Sequence, residues 1–305
     1  MNNYTLGYNS SLEDNRSIHA TTDCFIPVGH GIALMIVNSL AAVLGTFGNL
    51  LVCTAVLYAN PRLRRCSNYL LVSLAIADLI VTMVCAPLVV GIVGKRAFAS
   101  DCAENLELAY VVSSNLSCCA SVLHLAAISV DRFIAVIFPL RHGRIMKNYG
   151  LKTMLVVVWS VALVFASFRV PFLKETSYLA LLLFVVSYSL VIGCYLSIMV
   201  FLAKEKKRKG TLRAKPTVEA NSKVERRVAV TLAIVIGVFT AFWFPMIVVF
   251  FASGKSLVKM HGTAYMWIRS LALSNSAVNF LIYSARIRDF RDAFALICRK
   301  ILRCV

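Results

Sequence analysis

Asp131 and Arg132 stand side by side at the inner end of a long apolar run, where charged groups are costly to place and are usually kept for a function. A guanidinium there can be held by carboxylates in one state and released to meet a partner in another. Glu225 precedes a later apolar run and is predicted to reach Arg132 at the same membrane boundary. The three groups would form an ion-pair cluster that opens and closes. The alternative is that Glu225 belongs to a solvated run of charges.

A second set of polar residues lies at mid-depth within other apolar runs. Asp78 is the most costly of them, and its carboxylate is expected to face the interior of a helix bundle. Partners at similar depth are Asn49, Ser121, Asn275, Ser276 and Asn279. Oxygen-rich groups suit a small hard cation such as sodium, or a proton, although they could instead join helices by hydrogen bonds. We expect a cation-responsive centre and, apart from an allosteric sodium ion, no cofactor.

Membrane-spanning helices must position these groups. The chain is 59% hydrophobic and only 15% charged, with a mean hydropathy of +0.78. Apolar runs of about 20 residues are typical of transmembrane helices. We identify seven spans: 31–58, 68–92, 104–138, 150–168, 178–203, 227–252 and 263–285. The predicted fold is all-α, a seven-transmembrane helix bundle.

Charge placement predicts the orientation in the membrane. Most Lys and Arg residues fall in four segments: 58–67, 132–152, 204–227 and the end after residue 285. The positive-inside rule then places the N-terminus outside and the C-terminus in the cytoplasm of a multi-pass plasma-membrane protein. The net charge of +18 faces anionic lipid and an intracellular partner rather than nucleic acid. We divide the chain into an extracellular leader (1–30), a membrane domain (31–285) and a cytoplasmic helix with a short tail (286–305).

Modification sites are expected at both ends. Asn3, Asn9 and Asn15 are sequons for glycosylation, although such triplets also arise by chance in a leader rich in Ser and Asn. Cys24 and Cys102 are the two cysteines predicted to face the oxidising side, so any disulfide bond should join them.

The cytoplasmic end carries two further cysteines. Cys298 and Cys304 follow an amphipathic stretch and are candidates for palmitoylation or, alternatively, free thiols.

The sixth span carries a bulky aromatic residue just before a proline. Pro245 removes a backbone donor and is expected to kink the helix. Trp243 could couple a ligand above the kink to helix motion below it. The alternative is a tolerated kink beside an ordinary core tryptophan.

Together these residues resemble the rhodopsin-like (class A) G-protein-coupled receptors, nearest in motifs to the amine, adenosine and melanocortin receptors. One motif matches in each span: Gly48-Asn49, 74–78 ending in Asp78, Asp131-Arg132-Phe133, Trp159, Tyr195, Phe239 with Trp243 to Pro245, and Asn279 to Tyr283. Residues 289–294 resemble the family's short amphipathic eighth helix. The resemblance covers essentially the whole membrane domain.

The resemblance implies that an extracellular ligand activates a heterotrimeric G protein. The sixth helix would swing outward about Pro245, and Arg132 would lose its carboxylate partners. Tyr195, Tyr283 and Phe239 would take part in the same movement, and arrestin is a further possible partner. Phe280 replaces the family's proline, from which we expect a straighter seventh helix. Ser187 and Phe133 also depart from the family pattern.

The resemblance also implies a ligand pocket. Its expected lining is Tyr110, Ser114, Asn115, Cys118, Met246, Ile247, Phe250, Tyr265 and Arg269. Ser114 stands where amine receptors carry the aspartate that pairs with the ligand's ammonium, so a monoamine is disfavoured. Arg269 could bind a carboxylate or phosphate, although it could instead pair with Glu107 or extend to the outer surface. Segment 169–177 is short and has no cysteine, so the family's usual bond to the third helix cannot form.

The predicted function is a receptor for a small neutral or acidic organic molecule. Alternatives with the same fold are a peptide-binding receptor and a receptor that is constitutively active or no longer signals. A secondary transporter would show internal repeats, which we do not find. No nucleophile–base pair, metal-ligand spacing or phosphate loop indicates an enzyme.

Overall fold

A computed structural model gives the architecture and describes the backbone of residues 24–169, 171–210, 216–252 and 262–304. Side chains are described for the same residues except 62, 169, 173–177, 206–229, 232, 250–252, 301, 303 and 304. Six predicted site residues therefore lie outside the described side chains: Asn3, Asn9, Asn15, Glu225, Phe250 and Cys304.

The described chain is built from long α-helices. They are α1 Val28–Thr54, α2 Cys66–Phe98, α3 Glu104–Ile137, α4 Leu151–Arg169, α5 Leu173–Gly210, α6 Pro216–Ala252, α7 in two parts (Thr263–Ser274 and Asn279–Arg286) and α8 Arg288–Cys304. A loop helix, Pro139–Ile145, lies between α3 and α4. The all-α prediction is confirmed.

Among the described residues, five helical stretches are long and apolar enough to cross a membrane: Val28–Ala59, Cys66–Phe98, Glu104–Ile137, Pro139–Phe168 and Tyr178–Glu205. Within α6 the shorter apolar stretch is Ala233–Val249. α3 packs against α2, α4 and α5 and is therefore the central helix. These contacts fix the positions of the α3 side chains, from Glu107 at the outer end to Arg132 at the inner end.

A disulfide bond fixes the outer end of the bundle. It joins Cys24, just before α1, to Cys102, just before α3. Ile26 beside it is fully buried in an apolar cluster that includes Leu34 of α1 and Met266 of α7. The start of the described chain therefore packs between helices as part of the core.

The turn that carries Cys102 is stabilised by its own polar contacts. Ser100 and Ala103 adopt left-handed backbone conformations, with φ of 52° and 57°. The Ala103 N–H donates to Asp101 Oδ1 at 2.9 Å, and Lys95 Nζ donates to Asp101 Oδ2 at 2.9 Å. These two bonds, the backbone bond first, hold the pKa of Asp101 below its ordinary value. The turn thus presents Cys102 to the segment before α1.

A buried polar chain joins α2, α3 and α4. His124 Nδ1 donates to the Ala120 carbonyl at 2.7 Å, which leaves Nε2 as the acceptor for Ser73 Oγ, also at 2.7 Å. The Trp159 indole N–H donates to the same Ser73 oxygen at 2.9 Å. Both ring nitrogens of His124 and the indole nitrogen of Trp159 therefore have hydrogen-bond partners. These bonds join α2, α3 and α4 in the interior.

The seventh helix is interrupted despite lacking the family's proline. The expectation of a straighter helix was wrong, because residues Asn275–Ala277 form a 3-10 turn between the two parts of α7. Asn49 Nδ2 donates to the Ser276 carbonyl at 3.0 Å, and so diverts this group from the helix ladder. The interruption of α7 therefore coincides with a hydrogen bond from α1 and occurs without a proline.

The eighth helix is attached to the bundle by aromatic residues. Phe290 is fully buried, with its ring 5.8 Å from the ring of Tyr283 and 5.8 Å from that of Phe294. Cys298 is a free, partly buried cysteine that packs against the same core. Of the two palmitoylation candidates, this one faces protein at least in part.

Candidate ligand cavity and cytoplasmic cluster

A cavity of about 300 Å³ opens among α3, α5, α6 and α7. It contains seven of the nine residues predicted to line a pocket: Tyr110, Ser114, Asn115, Cys118, Met246, Ile247 and Tyr265. Most of its wall is apolar. No carboxylate lines it among the described residues. Such a site suits a small organic molecule oriented by a few polar groups.

The two other predicted pocket residues stand apart. Phe250 lies outside the described side chains. Arg269 does not line the cavity: it is 1% exposed and lies over the Tyr110 ring, 3.3 Å from its centroid. Arg269 pairs instead with Glu107, one of the alternatives considered for it, and its place in a ligand site stays a prediction.

A buried charge cluster surrounds that arginine. Arg269 Nη1 donates to both carboxylate oxygens of Glu107, at 2.9 and 3.0 Å. Arg96 of α2 pairs with the same carboxylate at 3.0 Å and also donates to the Cys102 carbonyl at 3.3 Å. Both arginines are almost fully buried, and two guanidiniums share one carboxylate. The cluster therefore holds α2, α3 and α7 together at their outer ends.

The inner end of the cavity reaches toward Asp78. Ser121, Asn275 and Ser276 belong to its lining. Asp78 is fully buried and accepts a hydrogen bond from Asn279 Nδ2 at 2.7 Å. The predicted polar residues of α1, α2, α3 and α7 are thus all buried in the bundle.

Three neutral oxygens of this centre make no hydrogen bond to any described residue: Asn49 Oδ1, Ser121 Oγ and Asn275 Oδ1. All three are buried. Neutral oxygens together with one carboxylate form the donor set that a small hard cation prefers. The residues present therefore fit a sodium ion.

An aromatic stack leads from the cavity into the core. Trp243 lines the cavity, and its ring lies 5.8 Å from that of Phe239. Phe239 in turn stacks on Phe184 of α5 at 6.4 Å. One turn further along α5, Tyr188 bonds through its hydroxyl to Thr240 of α6. Ring contacts thus connect Trp243 in the cavity wall to the contact between α5 and α6.

The cytoplasmic acid–arginine pair has partners that the sequence did not indicate. Asp131 is fully buried, and Arg132 Nε lies 3.4 Å from its Oδ2. Ser67 Oγ donates to Asp131 Oδ1 at 3.0 Å, and His142 Nε2 donates to the same oxygen at 2.8 Å. Asp131 is therefore held by α2 and by the loop helix. Glu225, the partner expected from the sequence, lies outside the described side chains.

Comparison with known proteins places the chain in a family. Residues 48–178 and 173–283 match the model of the 7 transmembrane receptor (rhodopsin family). The chain belongs to this family of receptors. It is 29% identical to the human adenosine receptor A2a, covering 91% of this chain and 74% of that protein. It is 27% identical to the histamine H2 receptor of Rattus norvegicus, covering 93% and 83%.

A solved structure supports the fold of the receptor independently. Squid rhodopsin superposes with a TM-score of 0.76 over 92% of this chain and 88% of the squid chain, at 19% sequence identity. The predicted rhodopsin-like resemblance and seven-helix bundle are confirmed. The receptor is accordingly a multi-pass membrane protein.

Sequence reasoning missed the long-range partners in the receptor. Ser67 and His142 gave no signal because their roles depend on how α2 and the loop helix meet α3. Arg96 follows Lys95 near the end of α2, where the sequence gives no sign that its side chain is fully buried. Glu107 is the exception, because the sequence indicated it as an alternative partner for Arg269.

Proposed function

We propose that the receptor binds a small neutral or acidic organic molecule in its central cavity and, in response, activates a heterotrimeric G protein. Binding would move Trp243, and α6 would swing outward about Pro245. Arg132 would then leave Asp131 and meet the G protein. The aromatic stack carries this proposal, since Trp243 belongs both to the cavity wall and to the α5–α6 contact.

The chemistry of the cavity supports this ligand class. Ser114 is a wall residue, and its hydroxyl donates to the Val111 carbonyl at 3.3 Å. A neutral hydroxyl cannot form the ion pair that a protonated amine requires. A monoamine would therefore gain no charge-assisted contact from the described lining. A peptide ligand remains the alternative, to be included in the ligand screen.

The orientation follows from the basic segments on one side of the bundle. We propose an extracellular N-terminus and a cytoplasmic C-terminus, which puts Arg132 and the loop helix inside the cell. Arrestin is a second expected partner at the same face.

Nucleotide exchange by purified receptor with a panel of G proteins tests the proposal. Small acids, neutral compounds and peptides would be screened as ligands. Arg132→Gln is expected to lower ligand-stimulated exchange by about tenfold or more, the scale of one lost charge-assisted contact. Ligand-induced thermal stabilisation should remain, because Arg132 lies far from the cavity.

Arg288→Gln is the matched control for this experiment, since Arg288 is exposed on α8. It should leave exchange unchanged. Exchange that is ligand-independent with the wild-type receptor would favour a constitutively active receptor instead. No exchange with any G protein would contradict the proposed signalling.

We further propose sodium as an allosteric ligand of the Asp78 centre. Asp78 supplies the negative charge, and Asn49, Ser121 and Asn275 supply neutral oxygens. A ligand that binds only the folded state raises stability by mass action, by about 1.4 kcal/mol at tenfold over its Kd. Sodium chloride should therefore raise the melting temperature of the receptor above its value in potassium chloride of equal concentration.

Asp78→Asn should abolish this difference between the two salts. Asp101→Asn is the control, because Asp101 is an aspartate in the outer turn that should not affect the centre. A difference between sodium and potassium that survives in Asp78→Asn would rule out Asp78 as the sodium ligand.

A further inference from the structure

In the outer charge cluster, one edge of the Arg269 guanidinium makes no contact with Glu107. Glu107 engages Arg269 through a single nitrogen, Nη1. The Nε and Nη2 atoms of Arg269 are buried and make no hydrogen bond to any described residue. These two atoms form one side of the planar guanidinium, the edge that can hold both oxygens of a carboxylate in parallel.

The burial of Arg269 favours an anion at its free edge. The Arg269 side chain is 1% exposed, and its Nε and Nη2 atoms have almost no access to solvent. Buried charged donors are unfavourable unless polar or negative groups compensate them. A carboxylate at this edge would accept hydrogen bonds from both atoms.

The cluster also lies next to the ligand cavity. The Tyr110 ring carries the guanidinium on its face, with 3.3 Å between Arg269 Cζ and the ring centroid. The same ring lines the cavity, as does Tyr265, one helical turn before Arg269 on α7. The Tyr110 ring therefore contacts both the cavity and the guanidinium.

We propose that the free Nε–Nη2 edge of Arg269 binds a carboxylate group of the receptor's ligand. The inference rests on the proposed function, in which the cavity is the ligand site, and it narrows the ligand class to carboxylic acids. The carbon skeleton occupies the apolar cavity, and the acid group joins Arg96, Glu107 and Arg269. Glu107 keeps its own contact with Nη1, so ligand and glutamate occupy different sides of the guanidinium.

Matched pairs of acid and primary amide test this inference. Suitable probes are 4-phenylbutanoic acid, decanoic acid and indole-3-acetic acid, each beside its amide. Their affinities would be measured from thermal stabilisation of the purified receptor without a G protein. At least one acid should bind about tenfold more tightly than its amide, the scale of a charge-assisted contact. Equal binding within every pair, or no stabilisation by any acid, overturns the inference.

Two arginine variants separate ligand binding from structural support. Arg269→Gln removes the free edge and leaves Arg96 paired with Glu107. Arg96→Gln leaves Arg269 paired with Glu107 and keeps the free edge. Both variants retain one guanidinium and one carboxylate, so both should fold. The acid preference should disappear in Arg269→Gln and persist in Arg96→Gln.

A purely structural cluster would respond differently. Both variants would then change stability without separating acids from amides, and this result would overturn the inference. Nucleotide exchange is measured independently of these probes. A receptor that activates a G protein but shows no acid preference would retain the proposed function and lose only this ligand class.

Discussion

Replacing Glu107 by alanine is expected to lower the free energy of unfolding by about 3–5 kcal/mol, the scale of breaking a buried ion pair. The substitution removes the carboxylate that pairs with the buried guanidiniums of both Arg96 and Arg269. The midpoint of thermal unfolding in detergent micelles measures the effect.

Glu104→Ala is the matched control for this substitution. Glu104 lies in the first turn of the same helix and is exposed, so its removal should change stability by no more than about 0.5 kcal/mol. Adding Arg269→Met to Glu107→Ala should restore part of the loss, because one uncompensated charge is then removed. Equal effects of Glu107→Ala and Glu104→Ala would contradict the role assigned to the cluster.

Replacing Gly48 by alanine is expected to destabilise the receptor by about 1–3 kcal/mol through overpacking. A Cβ atom on Gly48 would fall well inside van der Waals contact with the Phe280 ring. The ring belongs to α7, so either the ring or the α1–α7 spacing would have to shift. Melting temperature and the yield of folded receptor at the cell surface both report the effect.

The compensating variant is Phe280→Ala, which removes the obstructing ring. The Gly48→Ala, Phe280→Ala double variant should be more stable than the sum of the two single effects predicts. Gly193→Ala in α5 is the control, because an added Cβ there meets nothing within 4 Å. It should be neutral or slightly stabilising, since alanine favours the helix. Additive effects of Gly48→Ala and Phe280→Ala would show that the two positions do not collide.

The sequence predicted the bundle well because apolar runs report membrane burial directly. Both ends of α5 and the start of α6 were placed inside the observed bounds, Leu173–Gly210 and Pro216–Ala252, whereas the end of α6 at residue 252 was predicted correctly. Their extensions are rich in Lys, Glu and Arg, which favour helices but carry no apolar signal. Hydropathy marks where a helix enters the membrane, and the helix itself can continue beyond that point.

Contacts between distant segments were harder to predict. At the break in α7 the Ser276 carbonyl accepts a hydrogen bond from Asn49, which lies more than two hundred residues earlier. Asp131 is held by Ser67 and His142, neither of which belongs to a pattern around it. The pocket residues were predicted from family positions, but the direction of Arg269 depended on the nearby carboxylate of Glu107. Side-chain direction followed from packing and charge, which a single sequence does not reveal.

The bond between Cys24 and Cys102 determines how mechanical load enters the receptor. A pull on the N-terminus would pass through the two sulfur atoms to the start of α3, and the bond would bypass the residues between the two cysteines, which are 78 positions apart. α1 and α2 are thus shielded from extension for as long as the bond is intact. The force would therefore act first on α3, the central helix, which carries Asp131 and Arg132 at its opposite end.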